Sequence, residues 1–201
     1  MKVTVATILA GSAAAFAPSA RVSRSSVATN MAFENELGVQ PPLGFFDPLG
    51  LLNDADQEKF DRLRAVEIKH GRICQLGVIG YLTTYAGIRL PGEISTTGLK
   101  FADIPAGWEG TTQVPVAGAL QILAFAGLLE LAGWKQAEGS FPGDFSASSF
   151  PVGFISDYSE EEMTDLRAKE LNQGRAAMMG LLGLMVHDKL GNVDTLLGWL
   201  N

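Results

Sequence analysis

Cysteine and histidine are both scarce in this chain of 201 residues. Cys74 is the one cysteine, so no disulfide can form within the chain. The two histidines leave little room for a histidine-rich metal site. Basic residues are also outnumbered, with 15 Lys and Arg against 22 Asp and Glu and a net charge of −7. This balance argues against nucleic-acid binding, which needs a basic face.

Long uninterrupted apolar runs are few, although 47% of the residues are hydrophobic and the mean hydropathy is +0.17. A membrane-spanning helix needs about 20 largely apolar residues. The runs 73–88 and 176–186 are shorter than this, while 114–134 reaches the length with Gln121 and Glu130 inside it. Hydropathy therefore predicts one clear membrane span and two marginal ones.

The first 31 residues are predicted to be a targeting segment rather than part of the fold. An apolar stretch follows Met1-Lys2, and residues 16–30 are rich in Ser and Ala, carry Arg21 and Arg24, and contain no acidic residue. This layout resembles the two-part presequence of proteins that enter plastids surrounded by extra membranes. The alternative is a secretory signal followed by a spacer. The mature chain, residues 32–201, is predicted to form one domain.

The pattern of caps and breakers predicts three long helices in the mature chain. The first should begin at Asp54 or Asp56 and run to about Gly87, and the third at Asp157 or Ser159 and run to about Leu190. The remaining predicted parts are an extended, turn-rich apolar arm (33–53), a second helix (114–134), two loops (92–110 and 139–153) and a short amphipathic C-terminal helix (193–200) whose apolar face suits a membrane interface. The predicted fold class is an all-α membrane protein.

The strongest pattern in the chain is an internal repeat. Residues 63–72 are LRAVEIKHGR, and residues 166–175, which lie 103 positions later, are LRAKELNQGR. From 63 to 80, eight of eighteen positions are identical between the copies. Each copy places a Glu and an Arg at the start of an apolar stretch, where an unpaired charge costs at least a few kcal/mol.

Two crossing copies could neutralise these charges reciprocally. Glu67 would pair with Arg175, and Glu170 with Arg72. Glycines in both copies would let the two helix backbones approach closely: Gly71, Gly77, Gly174 and Gly180. The alternative is that the charges lie on the surface of a soluble helix.

Other polar groups in apolar surroundings are potential ligands that face different directions. Gln121 and Glu130 are nine residues apart, which at ~100° per residue places them on opposite faces of a helix. Such donors cannot share one metal ion, but each could supply the single axial ligand that the magnesium of chlorophyll accepts. The alternatives differ by site. They are a structural ion pair for Glu67 and Glu170, a satisfied buried histidine for His70, and an ordinary polar position for the others: Gln121, Glu130, Gln173 and His187.

The paired motifs EIKHGR (67–72) and ELNQGR (170–175) resemble the signature helices of the light-harvesting chlorophyll-binding superfamily. FDPLGL (46–51) resembles the motif that precedes the family's first helix, and FPGDF (141–145) its counterpart before the third. Together with the presequence, ELNQGRAAMMG (170–180) is most similar to the fucoxanthin–chlorophyll a/c subgroup. The likeness covers residues 33–201.

This resemblance implies three transmembrane helices in the thylakoid membrane of a plastid, with the first and third crossed. It implies chlorophyll a, chlorophyll c and fucoxanthin as cofactors, with diadinoxanthin as a further candidate. It also implies thylakoid lipids, other antenna subunits and a photosystem I or II core as partners. The seven potential ligands named above would bind chlorophyll magnesium. Xanthophyll ends would lie near two segments: Phe46, Asp47, Pro48 and Leu49, and Phe141, Pro142, Asp144 and Phe145.

Three functions are compatible with these features. The first is a light-harvesting antenna that performs no bond chemistry. The second is a photoprotective member of the same family that dissipates excess excitation. The third is a di-iron enzyme, because Glu67 and His70 form one Glu-x-x-His unit. That site needs two such units, and the second copy has Gln173 in place of the histidine.

Overall fold

The computed structural model of the protein describes residues 33–134, 136, 139–145 and 158–198. Within these residues all regular secondary structure is helical, apart from two isolated β-bridges. The α-helices there are α1 (Gln57–Tyr85), α2 (Gly107–Gln113), α3 (Val116–Leu128), α4 (Glu160–Lys189) and α5 (Val193–Leu197). The helical class is therefore confirmed for the described part, and the predicted presequence, residues 1–31, lies outside it.

Helix α1 begins at the second of its two predicted caps. The Asp56 carboxylate accepts a hydrogen bond from the Lys59 backbone N–H at 2.9 Å, which satisfies one of the free N–H groups of the first turn. The helix has 29 residues. It ends before Gly87, whose φ of +72° is the left-handed conformation that often stops a helix.

Helix α4 begins with a capping box. The Ser159 hydroxyl accepts from the Glu162 N–H, and the Glu162 carboxylate accepts in return from the Ser159 N–H. The other predicted cap, Asp157, lies outside the described residues. The helix has 30 residues and ends at Lys189, as expected from Gly191.

The C-terminal helix α5 was predicted to have an apolar face suited to a membrane interface. Val193 and Leu197 are instead 5% and 7% exposed, so they pack against the protein. Leu196 remains 45% exposed, while Trp199 and Leu200 lie outside the described residues. The tail therefore docks on the fold through one face.

The second long helix differs from its prediction in two ways. It begins at Val116 and changes at Leu129 into a π-helix that runs to Gly133. By length and composition, Val116–Gly133 is the one described helix that passes as a candidate membrane span. The preceding loop prediction, 92–110, is wrong at its end, because α2 starts there at Gly107.

Helices α1 and α4 pack against each other at the predicted glycines. A Cβ on Gly71 would lie 2.8 Å from the Gly174 Cα, and one on Gly77 would lie 2.8 Å from a Leu181 methyl group. The expectation for Gly180 is wrong, because nothing lies within 4 Å of a Cβ placed there. The repeat places Val78 where Leu181 stands in the other copy, and valine is one carbon shorter.

The N-terminal arm packs on α1 through aromatic rings. Phe33 stacks on Phe60 with ring centroids 4.5 Å apart, and with Ala55 they form a buried cluster. The arm is a series of turns rather than an extended segment. One turn is held by Asp47, whose carboxylate accepts from the Leu51 and Leu52 N–H groups at 3.0 and 2.8 Å.

Candidate functional site

The first carboxylate of the repeat is paired across the helix crossing. Arg175 Nε donates to Glu67 Oε1 at 2.7 Å. The same guanidinium donates through Nη1 to the Gly38 carbonyl at 2.7 Å. Arg175 of α4 therefore ties together the carboxylate of α1 and the arm that precedes α1.

The second carboxylate has the reciprocal arrangement. Arg72 Nε donates to Glu170 Oε1 at 2.6 Å, and Arg72 Nη1 donates to the Gly143 carbonyl at 3.0 Å. Gly143 belongs to the segment that precedes α4, so the contacts repeat those of Arg175 with the two halves exchanged. Both ion pairs expected from the repeat are present.

Arg64 adds a third guanidinium, whose role the sequence analysis missed. It is 7% exposed and donates to Glu67 Oε2 at 2.9 Å. Its guanidinium also lies over the Phe60 ring at 5.2 Å. The signal was visible, since Arg64 is one of the identical positions of the repeat. Both oxygens of Glu67 are thus engaged, and each retains a further lone pair.

The two histidines are held in a form suited to ligation. His70 Nδ1 lies 2.8 Å from the Val66 carbonyl oxygen; because a carbonyl only accepts, Nδ1 carries the hydrogen and Nε2 keeps its lone pair. His187 Nδ1 lies 2.9 Å from Asn192 Oδ1, which has the same effect. A ring nitrogen fixed in this way is typical of metal-binding histidines. Asn192 was not singled out from the sequence.

Glu130 is not the isolated donor that the sequence predicted. Its Oε2 lies 2.5 Å from Lys69 Nζ of α1, with both side chains about half exposed. Gln121 and Gln173 are exposed. Neither amide makes a side-chain hydrogen bond within the described part of the chain, so each has an oxygen available to a ligand.

The potential ligands are separate from one another. Among the described residues no group of three or more His, Cys, Asp or Glu side chains is arranged to hold a metal ion. The donors therefore suit ligands that each need one protein atom. The magnesium of a chlorophyll, already held by four ring nitrogens, is such a ligand, and it accepts carboxylate, amide and imidazole donors.

The two segments predicted near xanthophyll ends flank the ion pairs. In the first, Phe46 and Leu49 are 66% and 81% exposed, and Pro48 is also exposed. In the second, Phe145 lies 5.6 Å from the Arg72 guanidinium, and Phe141 lies 4.6 Å below that of Arg167. Pro142 and Asp144 of that segment are half-buried. Apolar surface is therefore available beside both neutralised carboxylates.

A cavity of about 590 Å³ lies between the arm and the helix pair. Its walls include the arm's aromatic side chains and the ion-paired side chains of the crossing: Phe33, Phe45, Phe46, Arg64, Glu67 and Arg175. Apolar walls with a few polar groups are typical of small-molecule sites.

Asp188 forms a second polar centre at the C-terminal end of the helix pair, which the sequence analysis did not find. Its carboxylate accepts from the hydroxyls of Tyr81 and Tyr85 at 3.2 and 2.9 Å, and from the Trp108 N–H at 2.5 Å. The tyrosine contacts join α1 to α4, and the Trp108 contact fastens the start of α2 to the pair.

A crossed helix pair with neutralised carboxylates and separate single donors defines a class of helical protein that binds tetrapyrroles. The chain belongs to the chlorophyll A-B binding protein family, whose profile matches residues 33–189. The resemblance stated from the sequence is confirmed. The family binds pigments and is not enzymatic, so the prediction that the chain is not an enzyme is confirmed as well.

Curated relatives agree over nearly the whole chain. The sequence is 58% identical over 192 residues to fucoxanthin-chlorophyll a-c binding protein F, chloroplastic, of Phaeodactylum tricornutum, which covers 95% of this chain and 97% of the relative. It is 55% identical over 203 aligned positions to fucoxanthin-chlorophyll a-c binding protein, chloroplastic, of Trieres chinensis, which covers 98% of this chain and 99% of the relative. A relative from Macrocystis pyrifera is 55% identical over 172 residues, covering 85% and 79%.

Proposed function

We propose that this protein is a light-harvesting antenna subunit of the plastid thylakoid membrane that binds chlorophyll a, chlorophyll c and fucoxanthin, with diadinoxanthin as a further carotenoid. The observation that carries this proposal is the pair of reciprocal ion pairs, Glu67–Arg175 and Glu170–Arg72, in a chain whose relatives are named for these pigments. The bound pigments supply light absorption and excitation transfer. The protein's part is to bind, orient and separate them.

Each proposed ligand gives one axial donor to one chlorophyll magnesium. The seven residues are Glu67, His70, Gln121, Glu130, Glu170, Gln173 and His187. An arginine or lysine neutralises each of the glutamates, which allows a carboxylate to serve as a ligand in apolar surroundings without leaving a net negative charge there. The histidines keep Nε2 available through the contacts described above.

Three helices are proposed to cross the membrane. The helix of residues 116–133 qualifies by composition, and α1 and α4 have 29 and 30 residues. At ~1.5 Å per residue each would be about 45 Å long, enough to cross a ~30 Å hydrocarbon core at a tilt. The spanning parts of α1 and α4 include the apolar runs 73–88 and 176–186. The neutralised charges at the crossing support this topology.

Fucoxanthin is proposed to lie along the grooves of the crossed pair. The exposed Phe46 and Leu49 beside one copy of the repeat, and Phe141 and Phe145 beside the other, offer apolar contacts for its ends. Thylakoid lipids would cover the apolar surface of the helix of residues 116–133. Other antenna subunits and a photosystem I or II core are the proposed protein partners.

Pigment analysis of the native protein tests this function. We expect protein isolated from thylakoids to yield chlorophyll a, chlorophyll c and fucoxanthin on extraction, and light absorbed by fucoxanthin to produce chlorophyll a fluorescence. Protein that yields none of these pigments would contradict the proposal. A short fluorescence lifetime at both neutral and acid pH would instead favour the dissipating role, which the names of the relatives do not favour.

A further inference from the structure

Glu130 lies at an unusual point of the apolar helix. It is the one Asp, Glu, Lys or Arg between residues 116 and 133, and it lies on the π-helical segment Leu129–Gly133. There the Trp134 N–H donates to the Leu129 carbonyl at 2.7 Å, five residues back. Single π-helical turns are rare and occur frequently at functional sites. Two independent features, charge and backbone, therefore mark this position.

Lys69 meets Glu130 from the neighbouring helix. Its Nζ lies 2.5 Å from Glu130 Oε2, and the side chains are 43% and 44% exposed. An ammonium is a compact charge that does not grip both carboxylate oxygens as a guanidinium fork does. Oε1 therefore remains available, in the same way that Glu170 keeps Oε2 when Arg72 Nε holds its Oε1.

We propose that Lys69 is a positioning residue for the magnesium ligand Glu130. The lysine cancels the carboxylate's charge in apolar surroundings and turns Oε1 outward. This inference rests on the proposed function, because it assumes that Glu130 binds a chlorophyll. A residue of α1 would then take part in a pigment site on the helix of residues 116–133.

Comparison of the two copies shows that Lys69 is not part of the reciprocal ion pairs. The equivalent position in the second copy is Asn172, whose amide donates to Gln40 Oε1 of the arm at 2.8 Å. The two copies thus use this position for different neighbours. A lysine is needed where the neighbour is a carboxylate on an apolar helix, and an amide suffices where the neighbour is a polar arm.

A purely structural role for Lys69 makes a different prediction. If the ion pair serves only to dock the two helices, then a double variant that leaves no unpaired charge should bind every chlorophyll whether residue 130 is glutamine or leucine. If Lys69 positions a ligand, Lys69→Met with Glu130→Gln should restore the site, whereas Lys69→Met with Glu130→Leu should still lack one chlorophyll. The glutamine variant leaves no unpaired charge, and its amide oxygen can still bind magnesium.

The test compares pigment content in full-length protein refolded with chlorophyll a, chlorophyll c and fucoxanthin. We expect Lys69→Met to lose one chlorophyll per protein, with a matching change in visible circular dichroism. The double variant with glutamine at residue 130 should regain it, and the double variant with leucine there should not. Lys169→Met is the matched control, because its partner Asp165 forms an exposed surface pair with side chains 67% and 63% exposed. The control should keep all its pigments.

The outcomes separate this inference from the function on which it rests. A full pigment complement in Lys69→Met would overturn the inference, and so would equal chlorophyll contents in the two double variants, or a failure of both double variants to refold. If Lys69→Met itself did not refold, one chlorophyll fewer in the leucine double variant than in the glutamine double variant would support the inference. If the unsubstituted protein bound no chlorophyll, the proposed function would fail and this inference with it.

Discussion

The two copies of the repeat hold their carboxylates with different numbers of cations. Glu67 contacts two arginines, Arg175 from α4 and Arg64 from its own helix. In the described part of the chain, Glu170 contacts Arg72 and no second arginine. The helix crossing is therefore symmetric at its centre and asymmetric one turn away.

The segments that cover the two copies explain this difference. Arg64 is 7% exposed, packs over Phe60 and lies under the N-terminal arm. Its counterpart Arg167 is half-buried and lies 4.6 Å over the Phe141 ring instead. Identical residues thus acquire different partners: the N-terminal arm and Phe60 pack against Arg64, whereas Phe141 of the segment before α4 packs against Arg167.

Replacing the arginines of the crossing, Arg72 and Arg175, should produce the largest difference between the two copies. Arg72→Leu leaves Glu170 without a cation from the described part of the chain, and an unpaired carboxylate in apolar surroundings costs at least a few kcal/mol. Arg175→Leu leaves Glu67 with Arg64, so we expect a smaller loss of stability. The measurements are the yield of pigment-loaded protein and its unfolding temperature. Both values should be lower for the two variants than for the unsubstituted chain, and lowest for Arg72→Leu.

The exposed Arg62 of the same helix provides the control for these variants. Arg62→Leu should refold with normal pigment yield. Equal damage from Arg72→Leu and Arg175→Leu would show that Arg64 does not compensate, and normal yields from both would contradict the reciprocal pairing.

The glycines test the symmetric centre itself. A Cβ on Gly71 would lie 2.8 Å from the Gly174 Cα, and one on Gly174 would lie 3.0 Å from the Gly71 Cα. Because backbone cannot move aside as a flexible side chain can, Gly71→Ala and Gly174→Ala should each destabilise the pair by about 1–3 kcal/mol.

Gly180→Ala is the matched control, because nothing lies within 4 Å of its added methyl group. We expect the unfolding temperature of this variant, monitored by far-ultraviolet circular dichroism, to be unchanged or slightly higher, since alanine favours helix over glycine by up to ~1 kcal/mol. A loss at Gly180 as large as that at Gly71 would mean that the two helices approach closely at a second point.

Features that depend on local sequence or on the repeat could be predicted without a structure. Two candidate caps could be named for each of α1 and α4, and Asp56 and Ser159 are the ones used, because a capping side chain acts within three residues. The ion pairs followed from the repeat, because two copies with the same unpaired charges need each other. The function followed from family resemblance, which the matches to relatives confirm.

Features that depend on how separate elements meet could not be predicted. Lys69 and Glu130 are 61 positions apart, on helices that no repeat relates. The Trp108 N–H at the start of α2 is bound by Asp188, which lies 80 positions later in the chain. Neither separation along the chain has a periodic signal in the sequence.

The arginines that flank the crossing, Arg64 and Arg167, should give a smaller difference between the two copies. Arg64→Met removes a hydrogen bond between charged groups, which is worth about 1.5–3 kcal/mol, whereas Arg167→Met removes a cation–π contact worth about 0.5–1 kcal/mol. We expect Arg64→Met to lower the unfolding temperature more. Equal shifts would mean that the two copies are more symmetric in solution than their contacts indicate.

The cap at the start of α4 gives the smallest expected effect on stability. Ser159→Ala removes the hydroxyl that accepts from the Glu162 N–H, which costs about 1 kcal/mol, and Ser159→Thr should retain the cap.

The Ser159 N–H and hydroxyl bonds also lower the pKa of Glu162, which lies in the first turn of α4, ahead of its apolar run. A carboxyl group with a lowered pKa stabilises the fold above its unfolded pKa, and this contribution is lost as the pH falls through the folded value. The gap in unfolding temperature between Ser159→Ala and the unsubstituted chain should therefore narrow as the pH falls below about 4. A gap that stayed constant to pH 3 would show that Glu162 takes no part in the cap.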